Sequence, residues 1–142
     1  MKPIVKKMRS DLEIMSTFNT FKQLRPHLTE EDFLEKINRL EKNNGFHLVA
    51  VLENNEVKAV AGYRITESLA RGKYFYVDDL ITNESSRRQG YASVIWDWLV
   101  TQAKLEGCEQ LHLDSGVHRH DAHRFYLKAG LDISCHHFQM SL

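Results

Sequence analysis

The spacing of the apolar residues changes at Gly90, and this change dictates the order of strands and helices that the chain can form. Upstream of Gly90, three segments rich in β-branched and aromatic residues alternate with a period of two, namely 46–52, 57–65 and 73–82. The turn-like sequence ENNE separates the first two segments. This pattern predicts an antiparallel meander.

After Gly90 the apolar period becomes 3.6, which predicts a helix that ends at Gly107. Its apolar stripe contains Ala92, Ile95, Trp96, Leu99, Val100 and Ala103. A short strand at 110–115 follows. A strand, a helix and a second strand in succession form a crossover, so the strands on either side of the helix should be parallel neighbours. We therefore expect an α/β (α+β) fold whose central sheet is mixed and mostly antiparallel.

The remaining segments predict further helices and one last strand. SDLE at 10–13 is a capping box that starts a first helix, which we expect to continue until Pro26. TEED at 29–32 starts a second helix. AHRFYLKAG at 122–130 predicts a last helix, and 131–140 a final strand. The expected order is a strand, two helices, three strands, a helix, a strand, a helix and a strand, with about four helices flanking the sheet.

The composition limits the class of protein. A length of 142 residues suits a single domain, 1–142. The formal net charge of +0 lacks the basic excess that nucleic-acid binding requires. No apolar run approaches the roughly 18 residues of a membrane helix, and no signal-peptide core follows the N-terminus. We expect a cytoplasmic protein that contacts neither nucleic acid nor membrane, with Cys108 and Cys135 reduced.

The sequence SSRRQG immediately before the predicted central helix has the chemistry of an anion site. The first backbone N–H groups of a helix have no partners within the helix, and the helix dipole adds positive charge there. Arg87 and Arg88 add permanent charge, while Gly90 lacks the Cβ that would keep a phosphate from the peptide plane. No GxxxxGK[ST] or GxGxxG sequence is present, which excludes a P-loop and a dinucleotide fingerprint. An arginine-rich turn of this kind can also be an ordinary solvated surface.

Two segments at the expected separation resemble the Gcn5-related N-acetyltransferase (GNAT) family. RRQGYA, Arg87 to Ala92, resembles the pyrophosphate-binding signature of that family, and AHRFYLKAGL, Ala122 to Leu131, resembles its downstream signature. Arg119 stands where many members have Asn, and Ala92 stands where many have Gly. The resemblance implies a splayed parallel strand pair, a cofactor-binding core at 46–140 and a variable substrate-covering segment at 1–45.

The resemblance also implies acetyl-CoA as the co-substrate. It would lie where the strand ending at Leu80–Thr82 diverges from the strand ending at Ser115, with its pyrophosphate on the Arg87–Ala92 loop. His118 and Arg119 would border the channel. The cofactor-binding residues implied in this way are Leu80, Ile81, Thr82, Arg87, Arg88, Gln89, Gly90, Tyr91, Ala92, Ser115, His118, Arg119, Ala122, Phe125 and Tyr126.

The same resemblance assigns catalytic roles. Tyr126 matches the tyrosine that donates a proton or hydrogen bond to the CoA sulfur, and a backbone N–H near Leu80 would polarise the thioester carbonyl. Asp78 is the preferred base or amine anchor, with Asp79 in reserve. Strand alternation puts the two carboxylates on opposite faces of the sheet, but a bulge in this strand would change that parity.

Other interpretations of the same residues stay open at this point. His118, His120 and His123 could together bind zinc, but no ligand motif accompanies them, and histidines beside a cofactor's phosphates explain them equally well, so we expect no metal. The expected activity is transfer of an acetyl group to the primary amine of a small molecule by direct attack in a ternary complex; the alternative is a non-catalytic acyl-CoA-binding or regulatory domain. The N-terminal helices, Tyr74, Tyr76 and the C-terminal strands should form the amine site. A homodimer could form through the last predicted strand, in which the edge candidates are His136, Phe138 and Met140.

Overall fold

A computed structural model describes residues 2–142, which divide into two compact units. The first unit ends at His112 and the second runs from Leu113 to Leu142. The first unit holds nearly the whole sheet and four of the five α-helices. The second unit holds the last helix and the C-terminal segment.

Five strands form one sheet in which sequence order and spatial order coincide. They are β1 (Ile4–Lys7), β2 (His47–Glu53), β3 (Glu56–Ser68), β4 (Gly72–Thr82) and β5 (Gln110–Leu113). The pairs β1–β2, β2–β3 and β3–β4 are antiparallel. The N–H of Glu109 donates to the carbonyl of Lys73 over 2.8 Å, so β5 starts beside the start of β4. The predicted mixed, mostly antiparallel sheet is confirmed.

Asn54 and Asn55 form the turn between β2 and β3. Both have positive φ values, 54° and 63°. A two-residue turn with both residues left-handed matches the right-handed twist of the strands it joins, and asparagine tolerates this conformation better than most residues. The hairpin expected from ENNE is therefore confirmed.

In the described part of the chain, five α-helices and one 3-10 turn complete the fold. The helices are α1 (Asp11–Ser16), α2 (Phe18–Leu24), α3 (Glu30–Asn44), α4 (Tyr91–Leu105) and α5 (His120–Lys128), and the 3-10 turn is Glu84–Ser86. The capping box is present, since the Ser10 hydroxyl accepts from the N–H of Glu13, whose carboxylate accepts from the N–H of Ser10. Within residues 2–142, none of the helices combines the length and apolar character needed to cross a membrane.

The prediction of one continuous first helix is wrong, because the helix is interrupted at Thr17. The buried Thr17 hydroxyl donates to the carbonyl of Ile14 over 2.6 Å, and its own N–H bonds the same carbonyl at 3.1 Å. A hydroxyl that bonds back onto the preceding turn competes with the helical hydrogen bonds. The chain therefore starts a second short helix at Phe18.

Helices cover both faces of the sheet. One face packs against α1, α2 and α3 through the side chains of Leu48, Ala50, Val60 and Ile81. The intervening residues point to the opposite face, because successive residues of a strand alternate; there Tyr63 packs against Trp98 of α4 with ring centroids 6.0 Å apart. Both faces are buried, as the apolar runs of the central strands require.

The prediction of a final strand at 131–140 is wrong. The structure assigns no strand within 131–142. Helix α5 is followed by Gly130 with φ 99°, and beyond it Ile133, Phe138 and Met140 are exposed. Alternating apolar residues favour a strand, but a strand forms only where a neighbouring strand accepts its hydrogen bonds.

Candidate functional site

The N-terminus of α4 presents backbone N–H groups without a side-chain cap. Gly90 is the N-cap residue, with φ 85°, and no side chain caps this end. The first helical hydrogen bond runs from the N–H of Val94 to the carbonyl of Gly90 at 3.2 Å. The N–H groups of Tyr91, Ala92 and Ser93 therefore precede the helical ladder, and the helix dipole is positive at this end.

The loop that precedes α4 leaves this helix end open. Residues 87–90 are exposed. Arg88 adopts a positive φ of 63°, which is uncommon for a residue with a side chain. A Cβ at Gly90 would meet no atom within 4 Å. The position that a Cβ would take at Gly90 is therefore open space, and two guanidinium groups adjoin it in sequence.

Hydrogen bonds from neighbouring elements hold the start of this loop. The N–H of Asn83 donates to the carbonyl of Lys58 on β3 at 2.8 Å, and its side-chain amide donates to the Thr20 hydroxyl of α2 at 3.0 Å. The N–H of Glu84 donates to the side chain of Gln23 at 2.8 Å. The position of the arginine loop is thus tied to both β3 and α2.

The side chain of Tyr91 is structural. Its ring is 6% exposed and its hydroxyl donates to Glu53 Oε2 at 2.8 Å. That hydrogen bond and burial raise the pKa of the phenol. Since the ring anchors α4 to the β2–β3 hairpin, only the main chain of Tyr91 remains for a ligand. The sequence does not indicate Glu53 as its partner.

The end of β4 offers main-chain groups rather than side chains. Ile81 is 7% exposed and belongs to the core, while Leu80 and Thr82 are half-buried. β4 has eleven residues and β5 has four. Because the two strands begin together at Lys73 and Glu109, β4 continues past the length of β5. The segment Leu80–Thr82 lies in that extension.

A β-bulge at Asp78 brings both carboxylates of the VDD sequence to one face of the sheet. Gly62 pairs with Asp79 and Tyr63 pairs with Val77, so Asp78 is the extra residue of β4. One inserted residue reverses the alternation of side chains beyond it. The parity expected from simple alternation is therefore wrong, because β4 contains a bulge of the kind that changes it.

Each of the two carboxylates pairs with an arginine. Arg64 donates from Nε to Asp78 Oδ2 at 2.7 Å and from Nη2 to Asp78 Oδ1 at 2.9 Å. Arg25 donates from Nε to Asp79 Oδ1 at 3.0 Å. Burial raises the pKa of Asp79, and the charge of Arg25 opposes that rise. Arg64 also lies over the ring of Tyr76, 5.1 Å from its centroid.

Neither arginine is among the site residues predicted from the sequence. Arg64 had a detectable signal, since an arginine inside an apolar strand requires a partner for its charge. Arg25, which lies beside Pro26 after α2, carried no such signal. Its partner is 54 positions away along the chain.

The second unit contains the other predicted site residues. Helix α5 has Arg119 as its N-cap residue without a side-chain cap. Ala122, Phe125 and Tyr126 are half-buried, as is Ser115, whereas His118 is exposed. Burial raises the pKa of Tyr126 and the charge of Arg119 opposes this effect.

The histidines of the second unit do not converge on one point. His123 Nε2 is 2.7 Å from the carbonyl oxygen of Gly116, and the rings of His120 and His123 are 6.3 Å apart. Across residues 2–142, no three His, Cys, Asp or Glu side chains are placed to share a metal ion. The zinc interpretation of these histidines therefore has no geometric support.

The chain resembles known proteins both in sequence and in fold. The sequence model of the Acetyltransferase (GNAT) family matches residues 11–131. An uncharacterized N-acetyltransferase of Bacillus subtilis, YhdJ, is 29% identical over 136 residues, which are 95% of this chain and 96% of that protein. The aminoalkylphosphonate N-acetyltransferase of Salmonella typhimurium is 28% identical over 97 residues, covering 68% of this chain and 63% of that protein. Among solved structures, AAC(6')-Iy in complex with the bisubstrate analog CoA-S-monomethyl-acetylneamine superposes with a TM-score of 0.84 at 11% identity, covering 100% of this chain and 99% of that one.

Proposed function

The chain belongs to the GNAT family of acetyltransferases, and from that premise we propose that it transfers an acetyl group from acetyl-CoA to the primary amine of a small molecule, by direct attack in a ternary complex. The observation that carries this proposal is the open, uncapped N-terminus of α4 beside Arg87 and Arg88. The bound thioester would supply an activated acetyl group. The chain's own residues would position that group, stabilise developing charge and move protons.

The diphosphate of the co-substrate would lie on the Arg87–Ala92 loop. The N–H groups that precede the helical ladder of α4 can donate to phosphate oxygens, and the helix dipole adds to their attraction. The absence of a Cβ at Gly90 leaves room for those oxygens to approach the main chain. Arg87 and Arg88 are exposed and can add charge-assisted hydrogen bonds.

The pantetheine arm would pair with the main chain of Leu80–Thr82. This segment lies in the part of β4 that extends beyond the length of β5, so its free edge can accept an added extended chain. The N–H of Leu80 would then donate to the thioester carbonyl. A donor fixed in a strand needs no reorganisation as negative charge develops on that oxygen.

Asp79 is a better candidate for the general base than Asp78, the carboxylate preferred from sequence. Both oxygens of Asp78 accept from Arg64, so that arginine already occupies the acceptor sites of this carboxylate. Asp79 accepts through Oδ1 alone, and burial raises its pKa. An attacking ammonium must lose a proton, and a carboxylate with a free oxygen and a raised pKa suits that task.

Tyr126 would protonate or hydrogen-bond the departing thiolate. Burial raises the pKa of its phenol, so the hydroxyl keeps its proton at neutral pH. A thiol has a pKa of about 8.5, below that of a phenol. The tyrosine therefore donates a hydrogen bond to the sulfur, rather than a proton, before the C–S bond breaks.

The relatives suggest which amines to test. One is named for aminoalkylphosphonates, and one solved neighbour holds an analog built on neamine. We propose that the substrate of this chain is likewise a small amine rather than a protein. Its site would be formed by the N-terminal helices together with Tyr74 and Tyr76. Those helices lie in segment 1–45, which the family resemblance assigns to covering the substrate.

Release of CoA thiol from acetyl-CoA across a panel of aminoalkylphosphonates, aminoglycosides, polyamines and amino acids tests the proposal. We expect turnover with at least one small amine and a fall of about tenfold or more in kcat for Tyr126→Phe. Tyr63→Phe is the matched control, since Tyr63 is a buried core tyrosine stacked on Phe75 at 4.4 Å. Binding of CoA without turnover on any amine would instead support the non-catalytic acyl-CoA-binding domain.

Homodimer formation and a cytoplasmic location stay predictions. The C-terminal segment expected to mediate the dimer keeps Phe138 90% exposed and Met140 82% exposed. Apolar side chains exposed in one short segment are typical of a protein contact. Sedimentation of the full chain measures the oligomeric state directly.

A further inference from the structure

We infer that Arg25 is a positioning residue for Asp79, fixing the orientation and basicity of that carboxylate from the end of α2. This inference rests on the proposed function, in which Asp79 accepts a proton from the amine. It concerns a residue that lies outside both family signatures. It also links the N-terminal helices to the chemistry on β4.

The geometry of Arg25 is that of a fork across the bulge. Its Nε donates to Asp79 Oδ1 at 3.0 Å, and its Nη2 donates to the main-chain carbonyl of Asp78 at 3.0 Å. The second bond holds the extra residue of the bulge itself. A planar guanidinium with two fixed acceptors has little freedom to rotate, so it fixes the carboxylate as well as neutralising it.

The backbone of Arg25 is held as firmly as its side chain. Its N–H donates to the carbonyl of Phe21 at 2.8 Å, and its carbonyl accepts from the N–H of Leu28 at 3.1 Å. Phe21 is 3% exposed and packs against Phe33 of α3, with ring centroids 5.8 Å apart. The guanidinium is therefore anchored through α2 to the core beneath the sheet.

Within residues 2–142, Arg25 is the one cation that bonds Asp79. The side chain of Asp79 is 16% exposed. The ring of Phe46, the residue before β2, covers the adjacent Gly62, where a Cβ would clash with the ring and lie 3.0 Å from Asp79 Oδ2. Asp78, on the same strand, opposes ionisation of Asp79, and Arg64 of β3 bonds Asp78 instead.

The two oxygens of Asp79 therefore have different roles. Oδ1 is held by Arg25, while Oδ2 accepts no hydrogen bond from residues 2–142 and remains available for a proton. The charge of Arg25 favours the carboxylate and burial favours the acid. Removal of Arg25 therefore favours the protonated form of Asp79, so a higher pH is needed to ionise this carboxyl.

Two readouts on Arg25→Gln test the inference. Carbon-13 NMR of the Asp79 carboxyl, assigned with Asp79→Asn and recorded on the full chain without co-substrate, should show its midpoint rising by about one pH unit or more. The acidic limb of kcat/KM, measured with an accepted amine, should move to higher pH by the same amount. Activity at high pH should recover most of the loss, because the ionised base is restored there.

Two further variants separate positioning from general stability. Arg25→Lys keeps the charge but loses the fork, so the midpoint should stay near that of the parent chain while kcat falls several-fold. Arg39→Gln removes an exposed arginine paired with Glu35 at 3.8 Å on α3, and should change neither readout. Arg25→Lys also serves as the test variant should Arg25→Gln fail to fold.

An unchanged midpoint in Arg25→Gln, or a loss of kcat/KM that is equal at every pH, overturns the inference. If the parent chain acetylates an amine and the midpoint does not move, the inference alone fails. If the midpoint moves but no amine is acetylated, the hold of Arg25 on Asp79 is supported and the proposed function fails.

Discussion

The N-terminus of α4 and the bulge of β4 lie in the same compact unit and are built in opposite ways. The α4 end is exposed, uncapped and free of neighbouring protein atoms at Gly90. The bulge is partly buried, and its two carboxylates are bonded to arginines from other elements. The first region presents main-chain groups, whereas the second depends on side chains and their partners.

This contrast follows from what each region would bind. A diphosphate carries permanent charge and needs donors that are always protonated, which backbone N–H groups and guanidinium groups provide. A base must exchange a proton, so its pKa has to be set by burial and by nearby charge. The first task tolerates an open surface, and the second requires an enclosed one.

The largest expected effect separates the two carboxylates of the bulge. Asp79→Asn should lower kcat/KM by about 100-fold or more, because an amide cannot accept the proton of the amine. Asp78→Asn should cost markedly less, since both of its oxygens already bond Arg64. Thiol-release kinetics measure both, and calorimetry should show CoA affinity unchanged in Asp79→Asn. If Asp79→Asn kept full activity while Asp78→Asn lost it, Asp78 would again be the better candidate for the base, as the sequence predicts.

The next effect concerns the α4 end and leaves the bulge untouched. Gly90→Val should weaken CoA binding by about tenfold, or about 1.4 kcal/mol, because a β-branched residue strongly disfavours positive φ and fills the space beside the amides. Gly107→Val is the matched control: it lies at the other end of α4, has φ 75° and also faces open space. Calorimetric titration should show normal CoA affinity in Gly107→Val. Equal losses in both variants would mean that helix strain, not the site, is responsible.

A smaller effect tests whether α4 acts through its main chain alone. Tyr91→Phe removes the hydrogen bond to Glu53 but keeps the buried ring. It should lower the thermal unfolding midpoint slightly while the Kd for CoA stays constant. Thermal unfolding and calorimetry on the same sample measure both, and a clear loss of CoA affinity would assign the phenol to the ligand.

The smallest effect concerns the ion pair between Glu13 and Lys6, which lies outside both regions. It provides a reference for the arginine–carboxylate pairs of the bulge. Hydrogen bonds from Lys6 and from the N–H groups of Ser10 and Arg9 lower the pKa of Glu13 to about 2. A carboxyl with a depressed folded-state pKa stabilises the fold above its ordinary pKa of 4.5, and this stabilisation is lost as pH falls toward 2. Glu13→Gln should therefore flatten the acid side of the stability curve without changing activity. Denaturant unfolding between pH 2 and 6 provides the measurement, and an unchanged acid slope would contradict the assignment.

The sequence predicts the α4 end well and the bulge poorly, for physical reasons. The loop, its glycine and the apolar stripe of α4 are contiguous, so local periodicity and helix-end chemistry suffice to locate them. The partner of Asp79 is 54 positions away, and no local pattern encodes such a pairing. The bulge at Asp78 follows from the register against β3, which a single strand does not specify.

Two other predictions from the sequence are wrong, namely the final strand and the continuous first helix. The alternation at 131–140 predicts a strand that the structure does not form, because strand formation depends on an available neighbour. The break at Thr17 arises from one buried hydroxyl, and the apolar pattern on either side gives no sign of it. The prediction of a hairpin at Asn54–Asn55 is confirmed, because the turn chemistry that specifies it is entirely local.

Nitrogen-15 NMR of the full chain during titration with CoA tests the central claim most directly, because it reports on each backbone N–H separately. The account predicts that the largest shift changes fall on residues 87–93, and that they are much reduced in Gly90→Val. Saturable changes centred elsewhere, with the amides of Gly90, Tyr91 and Ala92 unmoved, would contradict the assignment of the α4 end as the diphosphate site.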